Sequence, residues 1–148
     1  MTDMSLSGRA AIVGLGATEF SKNSGRTELR LAMEATLTAL ADAGIDPSEV
    51  EGFSSYTVDK VPDYEIARLL GCKNVKFFSQ IPHGGGAACA PVVHAAMAVA
   101  TGLAKVVVVL ALSPDGGARW DLERFITASG FALWLFCTTF ATVVSLIA

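Results

Sequence analysis

Apolar runs and helical stripes alternate along this chain. Residues 10–16 (A-A-I-V-G-L-G) form a short apolar run with β-branched members, which reads as a buried strand ending in glycines. Leu29, Met33, Leu37 and Leu40 then recur at helical spacing. Thr27 stands where an N-cap belongs and Gly44 where a left-handed C-cap belongs, so a helix is predicted over residues 27–43. Asp46-Pro47 opens a second cap with room only for a short turn. A strand follows at 53–57, and Asp63 is expected to cap a short helix holding Ile66, Leu69 and Leu70, stopped by Gly71. Residues 75–80 (V-K-F-F-S-Q) predict a third strand. A glycine turn and an alanine-rich helix come next, reaching residue 100 and closed by Gly102. Residues 105–112 (K-V-V-V-V-L-A-L) are apolar on both faces, as central parallel strands are.

The predicted order is β-α-β-α-β-α-β, an α/β fold with a mostly parallel sheet and helices packed against it. Residues 1–112 form this unit, 113–125 (opening S-P-D-G-G-A-R) a loop, and 126–148 an apolar C-terminal segment without a single charge. That segment is long enough to span a bilayer. Three readings stand open for it: a membrane anchor, a helix or strand buried in a core or dimer interface, and a tail foreign to an intact fold. Ser129, Thr138, Thr139, Thr142 and Ser145 make it less apolar than a strong membrane helix.

Composition narrows the function classes. Of 148 residues, 52 % are hydrophobic and 17 % charged, which fits one well-cored domain and argues against disorder. A net charge of −3 without a basic run excludes a nucleic-acid partner. The three cysteines, Cys72, Cys89 and Cys137, are odd in number and widely spaced, so no disulfide framework is expected. His83 and His94 offer no zinc spacing with them, so no metal and no bound cofactor are expected. A reducing cytoplasm is the expected location, with membrane association only through 126–148.

Ligands of open parallel sheets sit beyond the carboxyl ends of strands, and the stretch Q-I-P-H-G-G-G-A-A-C-A-P leaves such an end. Successive backbone N–H groups of His83, Gly84, Gly85 and Gly86 can converge on an oxyanion, a thioester carbonyl or a phosphate, aided by the start of a helix. The alternative is that the glycines only permit close packing. Pro91 belongs in a first helical turn, which places Cys89 there too, as a weak candidate for a reactive thiol. His83 is expected as a polar contact of the turn, and His94 as a satisfied core histidine. Gly14-Leu15-Gly16 lacks the third glycine of a dinucleotide fingerprint and is expected to be a tight strand-exit turn.

Three stretches carry a family likeness. G-R-A-A-I-V-G-L-G-A-T-E-F, L-A-M-E-A-T-L-T-A-L-A-D-A-G-I-D-P-S-E-V-E-G-F and H-A-A-M-A-V-A-T-G-L-A-K-V-V-V-V resemble the N-terminal half of the thiolase superfamily. The likeness runs over residues 8–112 and points to the branch of sterol-carrier-type thiolases and lipid-transfer proteins. It implies a five-layer α/β/α/β/α sandwich of two such halves, usually dimeric, of which this chain holds one. It also implies an acyl-CoA or steroid-CoA thioester as substrate, with coenzyme A present only as part of that substrate. Counted back from Gly102, the nucleophilic cysteine of typical thiolases falls on Gly85, and the Ser-Gly that follows it on Ala87 and Ala88. Cys89 is one helical turn too late. A subgroup lacking that cysteine includes aldolases of steroid side-chain degradation, which pair with a small zinc-ribbon/OB-fold partner protein. The resemblance therefore implies retro-aldol cleavage or acyl transfer on CoA thioesters, by a chain inactive on its own. The alternatives are a non-catalytic remnant serving as a dimer or partner module, and a small membrane-anchored protein.

Overall fold

The computed structural model describes residues 8–19, 24–56, 61–82, 89–111 and 142–147. Its elements run β1 (Ala11–Gly16), α1 (Glu28–Ala43), β2 (Gly52–Tyr56), α2 (Asp63–Leu70), β3 (Phe77–Ile81), α3 (Ala90–Ala100), β4 (Val106–Ala111) and β5 (Thr142–Ile147). Local chemistry sets most boundaries. The Thr27 hydroxyl accepts a hydrogen bond from the Arg30 N–H at 3.3 Å, and Gly44 ends α1 in the left-handed region at φ 68°. Asp46 and Glu49 form a reciprocal capping box around the 3-10 turn Pro47–Glu49. Gly71 ends α2 at φ 74°.

The five strands form one sheet in the order β1-β5-β4-β2-β3. β2 pairs in parallel with both β3 and β4, while β5 runs antiparallel to its neighbours β4 and β1. The fold is therefore the predicted α/β arrangement, a mostly parallel sheet with one reversed strand. Helices α1 and α2 cover one face, where Ala32, Ala35, Leu40, Phe53, Ile66, Val108 and Leu110 close the larger core. Helix α3 covers the other through Ala95, Ala98 and Val99 against Val107 and Val109. The run of valines in β4 thus feeds both cores. Glu51 ties three strands together where they begin. Its side chain accepts from Lys76 Nζ at 2.7 Å and from the Lys105 N–H at 2.8 Å, and its own N–H donates to the Val106 carbonyl at 2.9 Å. Lys76 and the Lys105 amide hold the Glu51 carboxyl below its ordinary pKa, so these ties survive to lower pH than an ordinary glutamate's would.

Four expectations need correction. The first strand is not buried on both faces: Ile12 and Leu15 are 60 % and 57 % exposed, because β1 is a sheet edge. Gly14 and Gly16 are not a strand-exit turn but lie within β1. A Cβ on Gly16 would stand 2.0 Å from the Ala35 carbonyl oxygen, and one on Gly14 2.3 Å from that of Ala39. These glycines let α1 press on the strand, which leaves no room for a phosphate there. Asp63 is not the cap of α2; Pro62 occupies that position without a side-chain bond, and Asp63 is the first helical residue. Finally, α3 begins at Ala90, so Cys89 is its N-cap residue rather than part of its first turn.

Of the apolar segment 126–148, the described part is β5, whose backbone is paired on both sides. Residues 126–141, and with them Cys137, lie outside the described residues, as does the loop 113–125. No helix among the described residues is long and apolar enough to cross a membrane.

Candidate functional site

β2 carries two buried hydroxyls, and Ser79 of the neighbouring β3 is half-buried beside them. In β2 (G-F-S-S-Y), Ser54 and Ser55 are fully buried and point to opposite faces of the sheet. Ser54 aligns with Ser79 of β3 and Val109 of β4, and its hydroxyl has no hydrogen-bond partner. Ser79 is bonded at 2.7 Å to Nδ1 of His94 on α3. His94 is exposed, not a core histidine; it is satisfied, as expected, but at the sheet edge. This bond ties the strand that enters the glycine turn to the helix that leaves it.

On the opposite face, the Ser55 hydroxyl donates to Asp63 Oδ2 at 3.0 Å. Asp63 Oδ1 is buried and without a partner. Burial pushes the Asp63 carboxyl above its ordinary pKa, and the Ser55 bond only partly opposes this. Folding therefore favours the protonated acid. The corresponding stability is full below the unfolded value near 3.8 and is lost as pH rises through the raised folded value. Asp63→Asn cannot ionise. It should melt higher than the parent at pH 7, with the difference disappearing in thermal melts run below pH 3.8; equal melting temperatures at pH 7 would contradict this account.

The residues of the expected turn, His83, Gly84, Gly85 and Gly86, lie outside the described residues, together with Ala87 and Ala88. Cys89 is exposed at the start of α3. Cys72 is half-buried with its thiol directed at the Pro47 carbonyl at 3.5 Å, and burial pushes its pKa up, which disfavours the thiolate. Among the described residues no group of three or more His, Cys, Asp or Glu side chains could hold a metal ion. Sequence reading missed the Ser55–Asp63 and Ser79–His94 bonds. The signal was the serine doublet inside an otherwise apolar strand, since a buried hydroxyl asks for a partner.

No established family model matches the chain. Curated proteins do. It is 63 % identical over 103 residues to a 17-hydroxy-3-oxo-4-pregnene-20-carboxyl-CoA lyase of Mycobacterium tuberculosis, covering 70 % of this chain and 27 % of that protein. It is 55 % identical over 120 residues to a steroid side-chain-cleaving aldolase of Thermomonospora curvata, covering 80 % of this chain and 31 % of that one. Among solved structures, the Ltp2-ChsH2(DUF35) aldolase superposes with a TM-score of 0.72 at 48 % identity, over 83 % of this chain and 33 % of that one. A monomeric SCP2-thiolase-like protein of Mycobacterium smegmatis shares the fold with a TM-score of 0.59 at 21 % identity, over 72 % of this chain and 23 % of that one. The mixed sheet between α1, α2 and α3 is thus a thiolase-superfamily fold. The chain's sequence is similar to steroid side-chain aldolases of that superfamily, and it spans under a third of the length of the curated relatives it matches.

Proposed function

We propose that this chain is the N-terminal thiolase-like portion of a steroid side-chain aldolase, acting on a β-hydroxyacyl steroid-CoA thioester. The observation that carries the reading is the 63 % identity to a lyase of that class. Glycine at position 85, the nucleophile-equivalent position, agrees with it, because retro-aldol cleavage needs no acyl-enzyme. In such a step a base removes the proton of the β-hydroxyl, which becomes a ketone. The bond between the α- and β-carbons breaks, and its electron pair remains on the α-carbon as a thioester enolate. An acid then protonates that carbon, so the products are a steroid ketone and a shortened acyl-CoA. No oxidant is needed. Charge develops on the thioester oxygen, and backbone N–H groups of the His83–Gly86 turn would be its donors in this proposal. The acid and base would come from outside this chain. Coenzyme A would be part of the substrate, not a resident cofactor.

The name of the solved Ltp2-ChsH2(DUF35) aldolase supports a partner protein; a zinc-ribbon/OB-fold build for that partner, and pairing with a second copy of the whole protein, are parts of the same proposal. A second reading, a non-catalytic partner or dimer module, draws on the outer side of α3, where Val93 and Met97 stand exposed one turn apart, with Leu103 beyond. A cleavage assay separates the two. The chain alone should release no ketone from the thioester, and release should appear when a thiolase-like second half and partner are supplied. Cys89→Ala should leave that release unchanged. An acyl group found on Cys89 by mass spectrometry would sink the retro-aldol reading.

A further inference from the structure

Between α2 and the edge strand β3 lies an open hollow of about 580 Å³, the size of a small-molecule site. Val61 and Pro62 form one wall, Phe78 the other, and Tyr64 and Gln80 bring polar side chains to its lining, while the Ser79 hydroxyl is engaged by His94 on the other face. Among the described residues of that lining Asp63 is the only carboxyl. No lysine or arginine is among the described residues of the lining, and none of those residues suits the phosphates of coenzyme A. Phe78 is 51 % exposed although its ring stacks on buried Phe53 at a centroid distance of 5.9 Å. It thus offers a flat apolar face held in place from behind. Gln80 lies three residues before His83, so the hollow opens at the strand end from which the candidate turn departs.

We infer that this hollow is a subsite for a neutral, rigid, largely apolar ring system bearing isolated oxygens, the nucleus of a steroid rather than its CoA portion. The inference rests on the proposed substrate class and adds where the nucleus sits. Phe78, Val61 and Pro62 supply the apolar walls, and Tyr64 and Gln80 supply donors and acceptors for ring oxygens. Burial pushes the Asp63 carboxyl above its ordinary pKa, which disfavours a charge in the lining.

Equilibrium dialysis of the whole chain against 4-androstene-3,17-dione, a neutral steroid without thioester, tests this. The parent chain should bind it, and Phe78→Ser should weaken binding about tenfold, the loss of roughly half a buried aromatic side chain. Asp63→Asn, which cannot ionise, should bind no worse than the parent, and Asp63→Lys, which fixes a charge in the lining, should bind worse than either. Thermal melts confirm that each variant is folded; Phe78→Ser and Asp63→Asn are chosen because neither change opens the core. No binding by the parent, or unchanged binding by Phe78→Ser, overturns the inference. So does a loss of self-association in Phe78→Ser with steroid binding intact, which would make the hollow a contact between chains. Binding of the steroid without thioester cleavage in the supplemented assay would instead leave the subsite standing and remove the aldolase reading.

Discussion

Replacing Gly16 with alanine is expected to cost about 3 kcal/mol of unfolding free energy or more, at the upper end of what overpacking costs. The new Cβ would lie 2.0 Å from the Ala35 carbonyl oxygen and 2.5 Å from the Ala39 N–H nitrogen. Both obstacles are backbone atoms of α1, so no rotamer change relieves them. The helix must lift from β1, and the contacts of buried Ala35 and Ala39 go with it. A loss of that size is a large share of a domain's total stability of about 5–15 kcal/mol. Gly25→Ala is the control. Gly25 has φ 66° and nothing within 4 Å of where a Cβ would stand, so only the left-handed backbone penalty of about 1–2 kcal/mol applies. Urea melts of the two variants should differ clearly, and a Gly16→Ala midpoint equal to that of Gly25→Ala would refute the close-packing account.

Truncating Phe53 to alanine is the second large effect, expected to cost about 3–5 kcal/mol. Phe53 is fully buried and is the largest such side chain in the described core. It sits on the interior strand β2, flanked by β3 and β4, so the cavity would open where little can collapse into it. Its stacking partner Phe78 is half exposed, and Phe78→Ala should cost far less. The double variant should be less destabilised than the two single losses added together, because the ring pair itself contributes about 0.5–1.5 kcal/mol. Strict additivity in denaturant melts would show that the stacked geometry has no energetic content.

These effects also show how far the sequence was legible. Where structure depends on neighbours along the chain, the reading held to within a residue or two. Thr27 and Gly44 bracket α1, Asp46-Pro47 makes only a short turn, Gly71 stops α2, and the valine run becomes β4. Where partners are distant, local rules lose their grip. A carboxylate next to a proline reads as a cap, yet the nearest donor for Asp63 is a hydroxyl on β2. An apolar strand reads as buried, yet β1 is the outermost strand of the sheet, beyond β5, with Ile12 and Leu15 exposed. A histidine amid alanines reads as core, yet small neighbours leave its ring free to reach the edge strand at Ser79. The turn read as the candidate site lies outside the described residues, whereas the hydroxyls and the hollow near it depend on how β2, β3 and α2 meet.

The position of β5 has a consequence in time. Among the described residues, β1 has no ladder partner except β5, which comes from the other end of the chain. The trio β4-β2-β3 can assemble from a continuous stretch, but β1 must wait with α1 until residues 142–147 arrive. During synthesis the edge of β4 that β5 will occupy is therefore open, an apolar template for any extended segment nearby. Closing so long a loop is slow relative to local pairing. The Asp42 carboxylate, which accepts the Leu15 N–H at 2.9 Å, keeps one backbone donor of β1 engaged with its own helix. Docked on α1 in this way, β1 can wait as part of a preassembled unit rather than as a loose strand in search of a sheet.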